Sequence, residues 1–145
     1  MTDQSSMLVR VFAPSDADAV VALWERCGLT RPWNDPHKDI ARKRAVGADL
    51  FLVGLIEQTL VASAMGGYDG HRGWVNYLAV DPHWQGRGLG LRMMAEIERA
   101  LRDRGCAKIN VQIRRSNQAA TGFYRALGFS TDDVISMGKR LEHDN

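Results

Sequence analysis

The sequence predicts an α+β fold in a single domain, residues 1–145, with a mixed sheet flanked by helices. Three observations carry that reading. Strand patterns over 50–56, 60–67 and 74–80 follow one another through short turns, which makes an antiparallel meander. A long amphipathic pattern then leads from Val80 to a strand pattern over 108–113, a βαβ unit whose two strands should be parallel. Between strand and helix stands a glycine-rich stretch, Val80-Asp81-Pro82-His83-Trp84-Gln85-Gly86-Arg87-Gly88-Leu89-Gly90, and the rest of the chain is organised around it.

In chain order, residues 8–12 alternate as a first strand. Ser15 with Asp18 forms a capping box, and Ala17, Val20, Val21, Trp24 and Cys27 follow at helical spacing until Gly28 stops the helix. Trp24 belongs to the core. Two prolines bracket residues 30–36, so that stretch is irregular, and a second helix runs over 36–46. Glu57-Gln58 and residues 68–73 are the meander's turns. Met93, Met94, Ile97 and Leu101 share the buried face of the long helix, opposite Arg92, Glu96, Arg99 and Asp103, and Gly105 ends it. Asn117 opens a short helix that Gly128 closes. A last hairpin is expected over 129–141, followed by a loose tail, 142–145.

Composition excludes several classes. With 45% hydrophobic and 25% charged residues and a net charge of +2, nothing argues for nucleic acid or a membrane surface. The cluster Arg42-Lys43-Arg44 reads as a solvated helix face. Cys27 and Cys106 lie beside apolar positions without ligand spacing and read as small core residues. His37, His83 and His143 show no metal-ligand spacing, so no metal is expected. No apolar run reaches spanning length and the start is polar, so a cytoplasmic protein is expected.

The glycine stretch falls at a helix start, where unpartnered N–H groups and the positive dipole end favour an anion. Arg87 adds a fixed charge. A dinucleotide loop fails because Leu91 stands where glycine or alanine is needed, and a P-loop fails because Leu91-Arg92 occupy its Gly-Lys places. What fits is Gln85-x-x-Gly88-x-Gly90. Taken alone, the stretch is equally a glycine-rich turn that starts a helix. A second constellation, Asn117-x6-Tyr124-x3-Gly128-Phe129, follows the parallel strand. Alone it is a helix end with aromatic packing, but the topology brings it to the glycine stretch at one sheet edge, where α/β ligands bind.

Gln85-x-x-Gly88-x-Gly90 resembles the acetyl-CoA pyrophosphate loop of the GCN5-related N-acetyltransferase (GNAT) family. The Asn117, Tyr124 and Gly128-Phe129 series also matches that family in order and spacing, and the likeness covers roughly residues 7–141. Residues 24–27, 31–36 and 66–73 look like its bacterial YpeA-type branch. The resemblance implies an N-acetyltransferase with acetyl-CoA as co-substrate. Backbone groups of Leu78, Ala79 and Val80 would pair with the pantetheine arm. Amides of Gln85, Gly86, Arg87, Gly88, Leu89, Gly90 and Leu91 would wrap the pyrophosphate, and Asn117 would bond the arm. Tyr124 would face the sulfur as the catalytic group assisting thiolate departure while an acceptor amine attacks directly.

Related enzymes carry a glutamate five residues before the Asn; here Gln112 stands there and cannot accept a proton. Tyr77, Asp69 and His71 are base candidates by neighbourhood only, and each reads more readily as a turn or sheet residue. An α-amine near pKa 8 is roughly a tenth neutral at pH 7 and a lysine near 10.4 is about 0.04%, so weakly basic amines are the easier acceptors. The family's acceptor region maps to Arg31, Trp33, Asn34, Asp35 and Tyr77, with Asp132 and Asp133 beside them. Trp33 and its prolines fit a rigid surface loop as well. The expected function is acetyl transfer to a small-molecule amine or peptide N-terminus. A non-catalytic acyl-CoA-binding module is the alternative, and a homodimer stays open.

Overall fold

The computed structural model describes residues 6–144; the polar start read above falls mostly outside them. Five strands, β1 (Leu8–Val11), β2 (Phe51–Ile56), β3 (Thr59–Tyr68), β4 (Gly73–Val80) and β5 (Ile109–Val111), form one sheet in the order β1-β2-β3-β4-β5. The first four pair antiparallel, and β4 pairs with β5 in parallel, as the sequence implied. Four helices flank the sheet: α1 (Ala17–Arg26), α2 (Pro36–Val46), α3 (Leu89–Asp103) and α4 (Gln118–Ala126). Two apolar clusters hold the layers. Met93, Met94, Ile97 and Leu101 of α3 pack on one face with Val61, Ala64 and Val75. Trp24, Val20 and Leu23 of α1 pack on the other with Phe51 and Val53.

Local chemistry explains most boundaries. Pro36 starts α2 behind Asp35, whose carboxylate accepts from the His37 and Lys38 amides (2.9 and 3.3 Å). Glu57 and Gln58 adopt φ of 49° and 68°, the twist a two-residue hairpin requires.

Four expectations change. Asp16, rather than Ser15 with Asp18, stands at the N-cap position of α1, and its carboxylate closes the 3-10 turn Pro14–Asp16 that precedes the helix. Asp16 accepts from the Ala13 amide (2.8 Å) and forms two bonds to the Arg10 guanidinium (2.7 and 2.9 Å), a partner on β1 that local spacing does not reveal. The last hairpin is absent: no strand follows α4 among the described residues. Val134 and Ile135 are adjacent, as are Asp132 and Asp133, so neither face of an extended strand would be consistently apolar. Side chains fasten this segment to β5 instead, with Asp132 accepting from Lys108 (2.8 Å) and Asn110 (2.7 Å), and Ser136 accepting from Gln112 (2.7 Å).

The tail is not loose. The Asp144 side chain is only 1% exposed, and it accepts from the Asp35 amide (2.7 Å) and the Arg42 guanidinium (2.6 Å). Arg42, whose side chain stays 40% exposed, is thereby an anchor for the tail and also pairs with Asp39 (3.1 Å). Finally, the thiols of Cys27 and Cys106 are half-buried rather than core, and they donate to the carbonyls of Val80 (3.2 Å) and Lys108 (3.3 Å).

Candidate functional site

The parallel pair is short. Its register runs Gly73↔Ile109, Trp74↔Asn110 and Val75↔Val111, and beyond that the two strands part. The last five residues of β4 thus have β3 on one side and a gap on the other. The β3–β4 register shifts between Ser63 and Met65, because β4 carries one extra residue there. Tyr77 takes up that bulge with φ of 53°, a conformation a non-glycine residue holds only when its surroundings impose it. The Ser63 hydroxyl donates to the Tyr77 carbonyl (3.1 Å) and accepts from the Trp24 indole N–H (2.9 Å). In a planar trans peptide the carbonyl and the following N–H point opposite ways, so the Leu78 amide is aimed away from β3 and into the gap. The Asp81 amide bonds the Val61 carbonyl (2.8 Å). Alternation along the strand then turns the Ala79 peptide groups toward β3 and those of Leu78 and Val80 toward the gap. Of the three strand residues expected to meet an extended ligand, Ala79 therefore does not offer its own backbone.

The glycine stretch closes the end of this gap. Asp81 caps a single 3-10 turn, Pro82–Trp84, by accepting from the His83 amide (2.9 Å), and it is tied to Arg26 of α1 (2.9 Å). The Gln85 side-chain amide donates to the Val80 carbonyl (3.0 Å), fastening the loop to the strand end. Gly86 and Gly88 carry φ of 79° and 80°, and Gly88 is the N-cap of α3. The Arg92 main-chain amide donates to the Gly88 carbonyl (3.0 Å), which leaves the amides of Leu89, Gly90 and Leu91 as the helix's unpartnered first turn. The Arg87 guanidinium lies 4.8 Å from the Trp84 ring centre, so its charge is held beside the cradle. These features suit a diphosphate.

Helix α4 forms the facing wall. A Cβ on Gly90 would lie 3.4 Å from the Phe123 ring and 3.8 Å from the Val80 side chain, so α4 packs directly on the first turn of α3. Asn117 caps α4, its Oδ1 accepting from the Ala120 amide (3.0 Å), and its Nδ2 remains as a donor. Tyr124 is 9% exposed, with the Phe123 and Phe129 rings edge-on to it at 5.1 and 5.3 Å. Its hydroxyl bonds no side chain or carbonyl among the described residues, and burial pushes its pKa up to about 12.

On the other face of β4, the Tyr77 ring stacks on Trp24 (3.7 Å, 8°) and its hydroxyl donates to Asp39 (2.6 Å). Burial, and then the Asp39 bond, raise the Tyr77 pKa to about 12. A phenol so placed is a donor rather than a base. Asp69 and His71 lie in the β3–β4 turn, at the far end of an eight-residue strand and about 23 Å from Val80. Asp69 is occupied by the His71 and Arg72 amides (both 2.7 Å), which hold its pKa down. Neither can serve the site. Gln112 is bonded to Ser136, and Asp132 is spent on β5.

Of the acceptor residues, Trp33 is 49% exposed and carries the Arg114 guanidinium 5.5 Å from its ring centre, which brings the α1–α2 loop to the end of β5. Asn34 donates to Asp39 (3.0 Å) and accepts from Arg140. Arg31 instead folds back onto the carbonyls of Gly28 and Thr30 (2.8 and 2.9 Å), and Asp35 caps α2. Asp39 was missed by sequence reasoning; an acid in the first turn of a helix reads only as a dipole partner. A cleft of about 1140 Å³ runs along the outer edge of β5 and includes Tyr124, but not the glycine stretch.

The sequence model described as the acetyltransferase (GNAT) family matches residues 16–129. An acetyltransferase of Pectobacterium atrosepticum is 48% identical over 138 residues, which is 95% of this chain and 98% of that one. Among solved structures, Ard1 from Thermoplasma volcanium superposes with a TM-score of 0.78 at 21% identity, covering 86% of this chain and 83% of that one. The PaiA N-acetyltransferase of Thermoplasma acidophilum, solved with coenzyme A, gives 0.72 at 17% identity, covering 90% and 93%. Both structures share the fold.

Proposed function

Because the chain belongs to the acetyltransferase (GNAT) family and is an acetyl-CoA-dependent N-acetyltransferase, we propose that a small-molecule amine or a peptide N-terminus attacks the thioester directly in a ternary complex. What supports this reading is the packing of α4 onto the glycine stretch at the end of β4: the Gly90 position lies against the Phe123 ring and the Val80 side chain, and Tyr124 adjoins Phe123. The cradle and the Arg87 charge hold the diphosphate. Leu78 and Val80 pair with the pantetheine arm, and the Nδ2 of Asn117 donates to it. The Leu78 amide polarises the thioester carbonyl as negative charge develops on its oxygen.

Tyr124 stabilises the departing sulfur. Burial raises phenol and thiol alike, so the reference gap sets the scale: a phenol near 10 giving its proton to a thiolate near 8.5 goes uphill by about 1.5 units, roughly 2 kcal/mol. Tyr124 therefore acts by hydrogen bonding to the sulfur; as the C–N bond forms and the C–S bond breaks, the proton shed by the attacking nitrogen passes to solvent water, and the departing thiolate takes one up from solvent. None of the base candidates read from the sequence is a carboxylate or imidazole beside the gap, so the acceptor must arrive with an appreciable neutral fraction. That favours α-amines and weakly basic amines over lysine side chains. Trp33, Asn34 and Tyr77 line the acceptor's approach.

The test is a panel of small amines, peptide N-termini and lysine peptides with acetyl-CoA, scored by mass spectrometry of acetylated product. Product on weakly basic or α-amines is expected. Product confined to lysine side chains, or tight acetyl-CoA binding with no product on any acceptor, contradicts the proposal.

A further inference from the structure

We propose that Asp39 is a positioning residue for acetyl transfer, acting through Tyr77 to hold the Leu78 amide on the thioester carbonyl. The inference rests on the role given above to that amide. Tyr77 sits at φ 53°, outside the comfortable range of an L-residue, so it relaxes unless held at several points. It is held at three: the ring by Trp24, the carbonyl by Ser63 and the hydroxyl by Asp39. The first two anchors lie within the core behind the sheet. The third crosses to α2 and is the shortest, 2.6 Å, with a carboxylate as acceptor. The peptide plane that carries the Leu78 N–H is the one that leaves Tyr77, so a rotation of Tyr77 turns that N–H directly.

Asp39 is itself fixed. Its other oxygen accepts from Arg42 (3.1 Å), and Asn34 donates to the same oxygen as Tyr77 (3.0 Å). Arg42 in turn is clamped by Asp144 of the tail. Helix α2, the α1–α2 loop and the C-terminal tail thus bear together on a single backbone amide beside the gap. This gives the three-sided restraint of Tyr77 a purpose that stability alone does not supply, since an unstrained residue with apolar contacts would pack as well.

The experiment uses the full-length chain with Tyr77→Phe, which keeps the ring stack and loses only the hydroxyl, together with Asp39→Ala and Asp39→Asn. Steady-state rates are measured, and difference infrared spectra record the thioester stretch of bound acetyl-CoA labelled with carbon-13 at the carbonyl. In the wild type the bound band lies below its free value. In Tyr77→Phe and Asp39→Ala the band moves back toward the free value, kcat falls roughly ten- to a hundredfold, and KM for acetyl-CoA stays within twofold. Asp39→Asn, which keeps an acceptor for the Tyr77 hydroxyl, recovers most of the rate. An unchanged band in folded Tyr77→Phe, with kcat within twofold of wild type, overturns the proposal. A wild-type band at the free value would instead overturn the role of the Leu78 amide, and the role of Asp39 with it. Should Asp39→Ala fail to fold, Tyr77→Phe alone decides between these results.

Discussion

Replacing Tyr124 by Phe separates chemistry from binding in this site. The hydroxyl makes no bond to any described residue in the free protein, and it lies against the Phe123 and Phe129 rings. Its removal leaves no buried group unpaired, so folding stability should change by less than about 0.5 kcal/mol. In the reaction the same hydroxyl faces a sulfur that gains a full negative charge. A hydrogen bond to a charged partner contributes about 1.5–3 kcal/mol, which converts to a loss of roughly 10- to 150-fold in kcat. Ground-state binding does not use the hydroxyl, so the dissociation constant for acetyl-CoA should stay within about twofold. Free thiol released per unit time reports kcat, and calorimetric titration reports affinity. Turnover within twofold of wild type would remove Tyr124 from the mechanism. A fall in affinity with turnover unchanged would make it a binding residue only.

Three further outcomes follow from the geometry. Ser63 is fully buried and serves both the Trp24 indole and the Tyr77 carbonyl, so Ser63→Ala orphans two groups and should cost about 2–5 kcal/mol in urea unfolding; a loss under 1 kcal/mol would show that the bulge is held otherwise. The Tyr124 pKa is raised from about 10 in the unfolded chain to about 12, so its share of stability is complete below pH 10 and is lost as pH climbs through 12. Between pH 9 and 11 wild type should therefore lose about 1 kcal/mol more than Tyr124→Phe, and equal losses would contradict the burial argument. Arg42 and the Asp35 amide hold the Asp144 carboxyl well below the usual range, so its contribution is present above about pH 4 and disappears as pH falls further. Thermal melts at pH 6, 4 and 3 should show a steeper decline for wild type than for Asp144→Asn, and parallel declines would mean that the tail contributes no net stability.

The pattern of these residues explains what could be read in advance. Helix α2 was legible to the residue because Asp35, Pro36 and Gly47 are local signals, and the βαβ unit followed from the apolar face of α3 with Gly105. The cradle and Asn117 were legible because backbone amides and caps depend on spacing along the chain. The Tyr77 bulge was not, since it exists through Ser63 and Trp24, 14 and 53 residues away in sequence. Asp39 became significant only when α2 was packed against β4. The tail misled for the same reason: its partners, Arg42 and the Asp35 amide, lie about a hundred residues upstream. The hairpin expected over 129–141 does not form because its apolar residues do not alternate.

The central claim concerns where the thioester lies, and two places in this fold compete for it. A crystal structure of the protein with coenzyme A decides between them. The account predicts the diphosphate on the amides from Gln85 to Leu91, the pantetheine arm in the gap beside Leu78 and Val80, and the sulfur within about 3.5 Å of the Tyr124 hydroxyl. Coenzyme A lying instead in the large cleft along the outer edge of β5, with the glycine stretch untouched, would contradict it.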